Sequence, residues 1–186
     1  MTKIEVYSLA ISAFGVLTIW IGFIFAFSQI RAAVRQVTVM VETHRENHEL
    51  QRRLAAQSAV NNYGFSNISA ELHNTFGYIK SNLPIPTEEI NKKFSENDEH
   101  RVKLIMLLRH YESLARGINH GVYDEEIVKA ALRRTMIRFA RSFSLYIEES
   151  RTILSNPTLW IELTSLSEKW VAEDKKFQTR ANTGDL

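Results

Sequence analysis

The hydrophobic pattern changes character at residue 30. From Val6 to Ile30 no Asp, Glu, Lys, Arg or His interrupts the chain. A transmembrane helix needs about 20 mostly apolar residues to cross a hydrocarbon core of about 30 Å. The run meets that length with a little left for tilt. A cleaved signal peptide has a shorter apolar region, about 7–15 residues, ahead of a small-residue site. Only Ala26-Phe27-Ser28 resembles such a site. The expectation is an uncleaved N-terminal transmembrane anchor over residues 1–30.

Helical periodicity continues past the anchor, with no Gly or Pro between Arg31 and Tyr63. Ile30, Val34, Val37 and Val41 follow the 4-3-4 steps of a coiled-coil seam. The register continues through His44, His48, Gln51, Ala55 and Ser58, so the seam turns polar away from the anchor. This predicts a helical stalk over 31–58, either paired as a parallel dimer or laid back on its own domain. Steps of three and four through Val60, Ile68, Leu72, Phe76, Ile79 and Leu83 predict a helix from Ala59 to Leu83. Pro84 and Pro86 end it, because residues before proline avoid helical angles.

Thr87 is placed to cap a short helix, and Ser95 or Asn97 to cap the next. That helix is expected from Asp98 to Arg116. Its run Leu104-Ile-Met-Leu-Leu108 is apolar on all sides, which marks a centrally packed helix, and Gly117 is placed as its C-terminal stop. Asp124 then caps a helix expected to be the domain's longest, from Glu125 to about Leu154. Pro157 suits the first turn of a last helix, about Thr158 to Glu173, which buries Trp160, Leu163, Leu166 and Trp170. The fold class is therefore all-α. A single transmembrane helix runs into a long stalk helix, then a cytosolic bundle of about four to five helices follows over 59–174. Residues 175–186 read as a flexible tail.

Composition narrows the chemistry. Aromatics make up 10% of the chain, enough to build a core, and the net charge of +2 is no polyelectrolyte signature. The absence of Cys excludes disulfides, thiolate metal sites and Cys nucleophiles. Arg31, Arg35, Arg45, Arg52 and Arg53 follow the anchor, while little basic charge precedes it. Basic flanks mark the cytoplasmic side. The expected orientation is that of a membrane protein with its N-terminus outside and its C-terminal domain in the cytoplasm. Within the anchor, Ser8, Ser12, Gly15, Gly22 and Ala26 share one face, a candidate for transmembrane association.

Two clusters carry candidate chemistry. His110, Glu112, His120 and Asp124 surround a helix–loop–helix junction and offer metal or acid–base groups. A structural reading gives Asp124 to the helix cap and Glu112 to an ion pair. Lys129, Arg133, Arg134, Arg138 and Arg141 form a basic face for anionic lipid or a partner; nucleic acid is disfavoured, and intramolecular ion pairing is the structural alternative. His44 and His48 sit one turn apart, but the order His-Arg-Glu-Asn-His misplaces the glutamate of a zinc-protease helix and supplies no third ligand. No phosphate-binding glycine loop, nucleophile elbow or kinase pattern occurs. No catalytic, cofactor or metal residue is therefore assigned.

Several stretches carry a resemblance. They are Arg45-Glu-Asn-His-Glu-Leu-Gln-Arg53, His110-Tyr-Glu-Ser-Leu-Ala-Arg-Gly117, Gly121-Val-Tyr-Asp-Glu-Glu-Ile-Val128 and Leu159-Trp160. In layout the chain resembles small bacterial membrane-anchored helical proteins that share a domain of unknown function. The resemblance implies a bacterial origin, an anchor and an all-helical domain, and carries no catalytic residues. The functional expectation is a non-enzymatic, membrane-anchored interaction or scaffolding module. Its expected partners are the bilayer, an anionic lipid surface, an unidentified protein and a second copy through span and stalk. The alternatives are an effector or enzyme with a site at the His110–Asp124 junction, and an oligomeric membrane effector built on the small-residue face.

Overall fold

Scarce glycine and proline leave the helix as the regular structure of this chain. A computed structural model describes the backbone over residues 3–79 and 83–183. Side chains are described within those spans, apart from residues 3–22, 24, 63 and 177–183. The described residues form seven helices and no strand: α1 (Lys3–Val60), α2 (Tyr63–Phe76), α3 (Thr87–Glu96), α4 (Asp98–Asn119), α5 (Glu125–Ser142), α6 (Ser144–Ile153) and α7 (Ile161–Thr183). The chain divides into two units, Met1–Glu49 and Leu50–Leu186.

The first unit is α1 up to Glu49. Thr38 and Thr43 satisfy their hydroxyls within the helix, Thr38 Oγ1 donating to Val34 O and Thr43 Oγ1 to Val39 O. Arg31 lies over the Phe27 ring, 4.7 Å from its centroid. Arg45 and Glu49 pair one turn apart at 3.5 Å. Every seam residue from Ile30 to Val41 is exposed, as are Phe23, Phe25, Phe27, Val39 and Met40. No helix among the described residues is long and apolar enough to cross a membrane. Most of the Val6–Ile30 stretch, residues 6–22 and 24, lies outside the side chains described.

The second unit begins inside the expected stalk. Ala56 is fully buried, and Ala59 and Val60 pack against the core. The single helix expected from Ala59 to Leu83 is interrupted. Asn62 caps α2 by accepting from Gly64 N–H at 3.2 Å, and the helix closes at Gly77. Gly77 has φ 66°, a left-handed conformation in which a side chain would be strained. The turn beyond is held from outside: His73 Nδ1 accepts from Ile79 N–H at 3.3 Å, and Arg138 Nη1 donates to Ile79 O at 3.0 Å.

The expected helix Glu125–Leu154 is two helices. Ile85 N–H donates to Ser142 O at 2.8 Å, diverting a carbonyl that would otherwise serve the next helical turn. The chain turns at the fully buried Phe143, and α6 restarts at Ser144. The proline-flanked segment thus breaks a helix more than fifty residues away in sequence. At its far end α7 opens at Ile161, after Pro157 rather than with it, and runs on to Thr183 through most of the expected tail.

α4 is the central helix, packed against α2, α3 and α7. Leu104, Leu107, Leu108, Tyr111, Leu114, Ala115 and Ile118 are buried, whereas Met106 reaches solvent. An aromatic layer joins α4 to α5. Phe139 meets Tyr111 at 5.1 Å, Tyr78 at 5.5 Å and Phe143 at 4.8 Å between centroids. Edge-on and tilted aromatic pairs contribute about 0.5–1.5 kcal/mol beyond their buried area. Trp170 brings α7 to the same core, fully buried, with its Nε1–H donating to Glu125 at 2.8 Å.

Candidate functional site

The junction between α4 and α5 gathers the side chains with the most chemical potential. α4 does not stop at Gly117 as the sequence leads one to expect; it continues to Asn119, and His120 is its cap. Gly117 has another task. Tyr123 folds back so closely that a Cβ at residue 117 would collide with its ring. Val122 and Tyr123 N–H both donate to Gly117 O, at 2.8 and 3.1 Å. The loop is thereby clamped to the end of α4. α1 adds a second clamp, Arg52 Nη2 donating to Tyr123 O at 3.4 Å and Arg53 facing Asp124 at 3.5 Å.

The four junction residues are used separately. His110 stacks on Phe65, with centroids 3.8 Å apart and planes 7° from parallel. Burial pushes its pKa down to about 4, so the ring is neutral at neutral pH. It lines a cavity of about 420 Å³ with Ser58, Asn62, Ser113 and Tyr123. Glu112, buried at 8% exposure, points to another helix and accepts from Leu163 N–H at 2.9 Å and Glu162 N–H at 3.3 Å. It is the N-terminal cap of α7, with Arg116 at 3.6 Å as its counter-charge. Asp124 caps α5 as the sequence leads one to expect, accepting from Glu126 N–H at 3.0 Å and Ile127 N–H at 3.3 Å. His120 is exposed. No group of three or more His, Asp or Glu among the described residues is arranged to hold a metal ion. His44 and His48 are exposed on α1.

The basic face is split in the same way. Lys129 pairs with Glu173 at 2.7 Å, which holds the lysine pKa above its ordinary value. Arg133 donates to Trp170 O at 2.8 Å and to Asp174. Arg138 is committed to the turn at Ile79. Arg134 and Arg141 are exposed, Arg141 at the edge of a cleft between the α5–α6 pair and α7. Beside this face, Glu125 binds Lys169 and Trp170; burial works against its charge, but those hydrogen bonds prevail and hold its carboxyl below the ordinary range. Of the proposed transmembrane face, Ala26 is exposed, and Ser8, Ser12, Gly15 and Gly22 lie outside the described side chains.

One feature escapes sequence patterns. Trp160 has φ 54° and Ser155 φ 48°, both in the turn between α6 and α7. Left-handed backbone costs a residue with a Cβ about 1–2 kcal/mol. The tryptophan ring is buried and stacks on Tyr146 at 6.3 Å, while Arg151 Nε donates to Leu159 O at 2.8 Å. Packing and one guanidinium therefore hold the strained turn. A leucine–tryptophan pair after Asn-Pro is the trace it leaves in the sequence.

The family described as "Domain of unknown function (DUF4760)" matches residues 16–170, and the chain belongs to it. No curated protein and no solved structure matches the chain.

Proposed function

We propose that this member of the DUF4760 family is a single-pass inner-membrane protein that presents a helical interaction or scaffolding unit to the cytoplasm. The observation that carries the reading is the surface of α1. Among the described side chains between Phe23 and Val41, nine large apolar ones are each more than half exposed. A helix with such a surface needs a bilayer, a partner or both to cover it. The apolar run from Val6 supplies the anchor, and the arginines from Arg31 onward set the cytoplasmic side. The seam Ile30, Val34, Val37 and Val41 is the part offered to a second copy, continuous with the small-residue face at Ser8, Ser12, Gly15, Gly22 and Ala26. An enzymatic reading of the α4–α5 junction is weaker, because Glu112 and Asp124 are engaged in capping helices.

A fluorescent protein that folds only in the cytosol, fused after Leu186, is expected to be bright in inner-membrane fractions. Alkaline-phosphatase activity at that fusion point would reverse the orientation. Recovery of the intact chain in the soluble fraction would remove the anchor. For self-association, Gly15→Leu with Gly22→Leu is expected to abolish crosslinked dimers in membranes; unchanged crosslinking would reject that face. A second reading concerns the lipid surface. Arg134 and Arg141 have no described intramolecular partner, and each basic group near an anionic leaflet contributes about 1 kcal/mol. Weaker binding of Arg134→Gln/Arg141→Gln to anionic vesicles is the expected outcome.

A further inference from the structure

A cleft of about 360 Å³ lies between the α5–α6 pair and α7. That is within the range of about 300–1,000 Å³ usual for small-molecule sites. Ala140 and Ile147 contribute an apolar floor, while hydroxyls and charges of both signs line the walls. Ser167 is among the residues lining the cleft, is only 6% exposed, and its buried Oγ has no hydrogen-bond partner. Leaving a buried hydroxyl unsatisfied costs about 1–3 kcal/mol.

The charges repeat the pattern. Arg141, Glu148 and Glu168 share this cleft, yet their side chains make no ion pair with one another or with any other described residue. Elsewhere the α5–α7 contact is closed by Lys129–Glu173 and Lys169–Glu125 pairs. Arg151, on the same walls, is preset by donating to Leu159 O at 2.8 Å and to Thr164 Oγ1 at 3.1 Å.

We propose that this cleft binds a small amphipathic zwitterion of the class of a free apolar α-amino acid. The carboxylate is taken by the arginines and the Ser167 hydroxyl, the ammonium by Glu148 and Glu168, and the side chain by the apolar floor. A simple anion fits less well, because two carboxylates share the walls. A purely apolar molecule leaves Ser167 unsatisfied. All of these residues lie in the unit Leu50–Leu186, so the inference stands apart from the anchor.

The test is isothermal titration of the full chain in nanodiscs with L-leucine, L-valine, L-methionine and L-phenylalanine. Isovalerate, which lacks the ammonium, and isoamylamine, which lacks the carboxylate, serve as comparisons. At least one amino acid is expected to bind saturably, and at least tenfold more tightly than either comparison compound. Arg141→Gln and Glu168→Gln each weaken that binding about tenfold, a change of about 1.4 kcal/mol. Ser167→Ala weakens it several-fold while the melting temperature of the unliganded protein stays level or rises, as expected when an unsatisfied buried hydroxyl is removed. Three results overturn the proposal: no saturable heat with any of the four, equal affinity for the single-charge compounds, or wild-type affinity in Arg141→Gln.

Discussion

Replacing Glu112 with alanine is expected to destabilise the helical unit through a helix that Glu112 does not belong to. The first N–H groups of a helix have no partner within it. In α7 the preceding residue, Trp160, lies in left-handed backbone, and its side chain is no acceptor. The Glu112 carboxylate instead accepts from Leu163 at 2.9 Å and Glu162 at 3.3 Å, and Leu163 is fully buried. A hydrogen bond to a charged group contributes about 1.5–3 kcal/mol, and the longer bond to Glu162 counts at the low end or below. Loss of a helix cap alone costs about 0.5–2 kcal/mol. Taking the two bonds as one cap gives about 2–4 kcal/mol for Glu112→Ala. For a unit of this size that lowers the melting temperature by about 10 °C. Glu112→Gln keeps the shape and one acceptor oxygen, so it is expected to cost about 1 kcal/mol. Far-UV circular dichroism through thermal and urea unfolding measures both. An alanine variant within about 0.5 kcal/mol of wild type, or a glutamine variant as damaging as alanine, would refute the capping role of Glu112.

Gly117→Ala ordinarily stabilises a helix by about 1 kcal/mol, but at this position the methyl meets the Tyr123 ring. A loss of about 1–3 kcal/mol is expected, and adding Tyr123→Ala should cost less than the two changes summed; strict additivity in urea titrations would count against the contact. His110 gives a pH signature. Its folded pKa of about 4 lies below the ordinary 6.5, so the unfolded chain takes up the proton first as pH falls. The associated stability is complete above pH 6.5 and is lost as pH drops toward 4. His110→Phe preserves the stack on Phe65 and should flatten that part of the urea-unfolding profile; a profile parallel to wild type would refute the assignment. Arg133→Ala removes the link to Trp170 O and Asp174 and is expected to cost about 1–2 kcal/mol. The neighbouring Arg134→Ala should stay within about 0.5 kcal/mol in the same melts, as is usual for a surface change.

What the sequence determined by itself is local. Asn97 and Asp124 cap α4 and α5 because an asparagine or aspartate oxygen reaches an N–H two or three residues ahead. The apolar run around Leu104–Leu108 marks α4 as central because that many apolar side chains need more than one neighbour. The spacing of Leu163, Leu166 and Trp170 identifies the buried side of α7. Tertiary structure decided what depends on partners outside the helix concerned. Ile85 N–H claims the Ser142 carbonyl and separates α5 from α6. Tyr123 requires the glycine at 117, so that residue is no helix stop. Glu112 supplies the cap that α7 lacks, and Arg133 and Arg138 leave the basic face for backbone carbonyls on other elements. For the α7 cap and the α5–α6 break the physical reason is the same. A helix leaves unpaired N–H and C=O groups at its ends, and where no side chain within a turn can satisfy them, the packed neighbour that does is set by the fold.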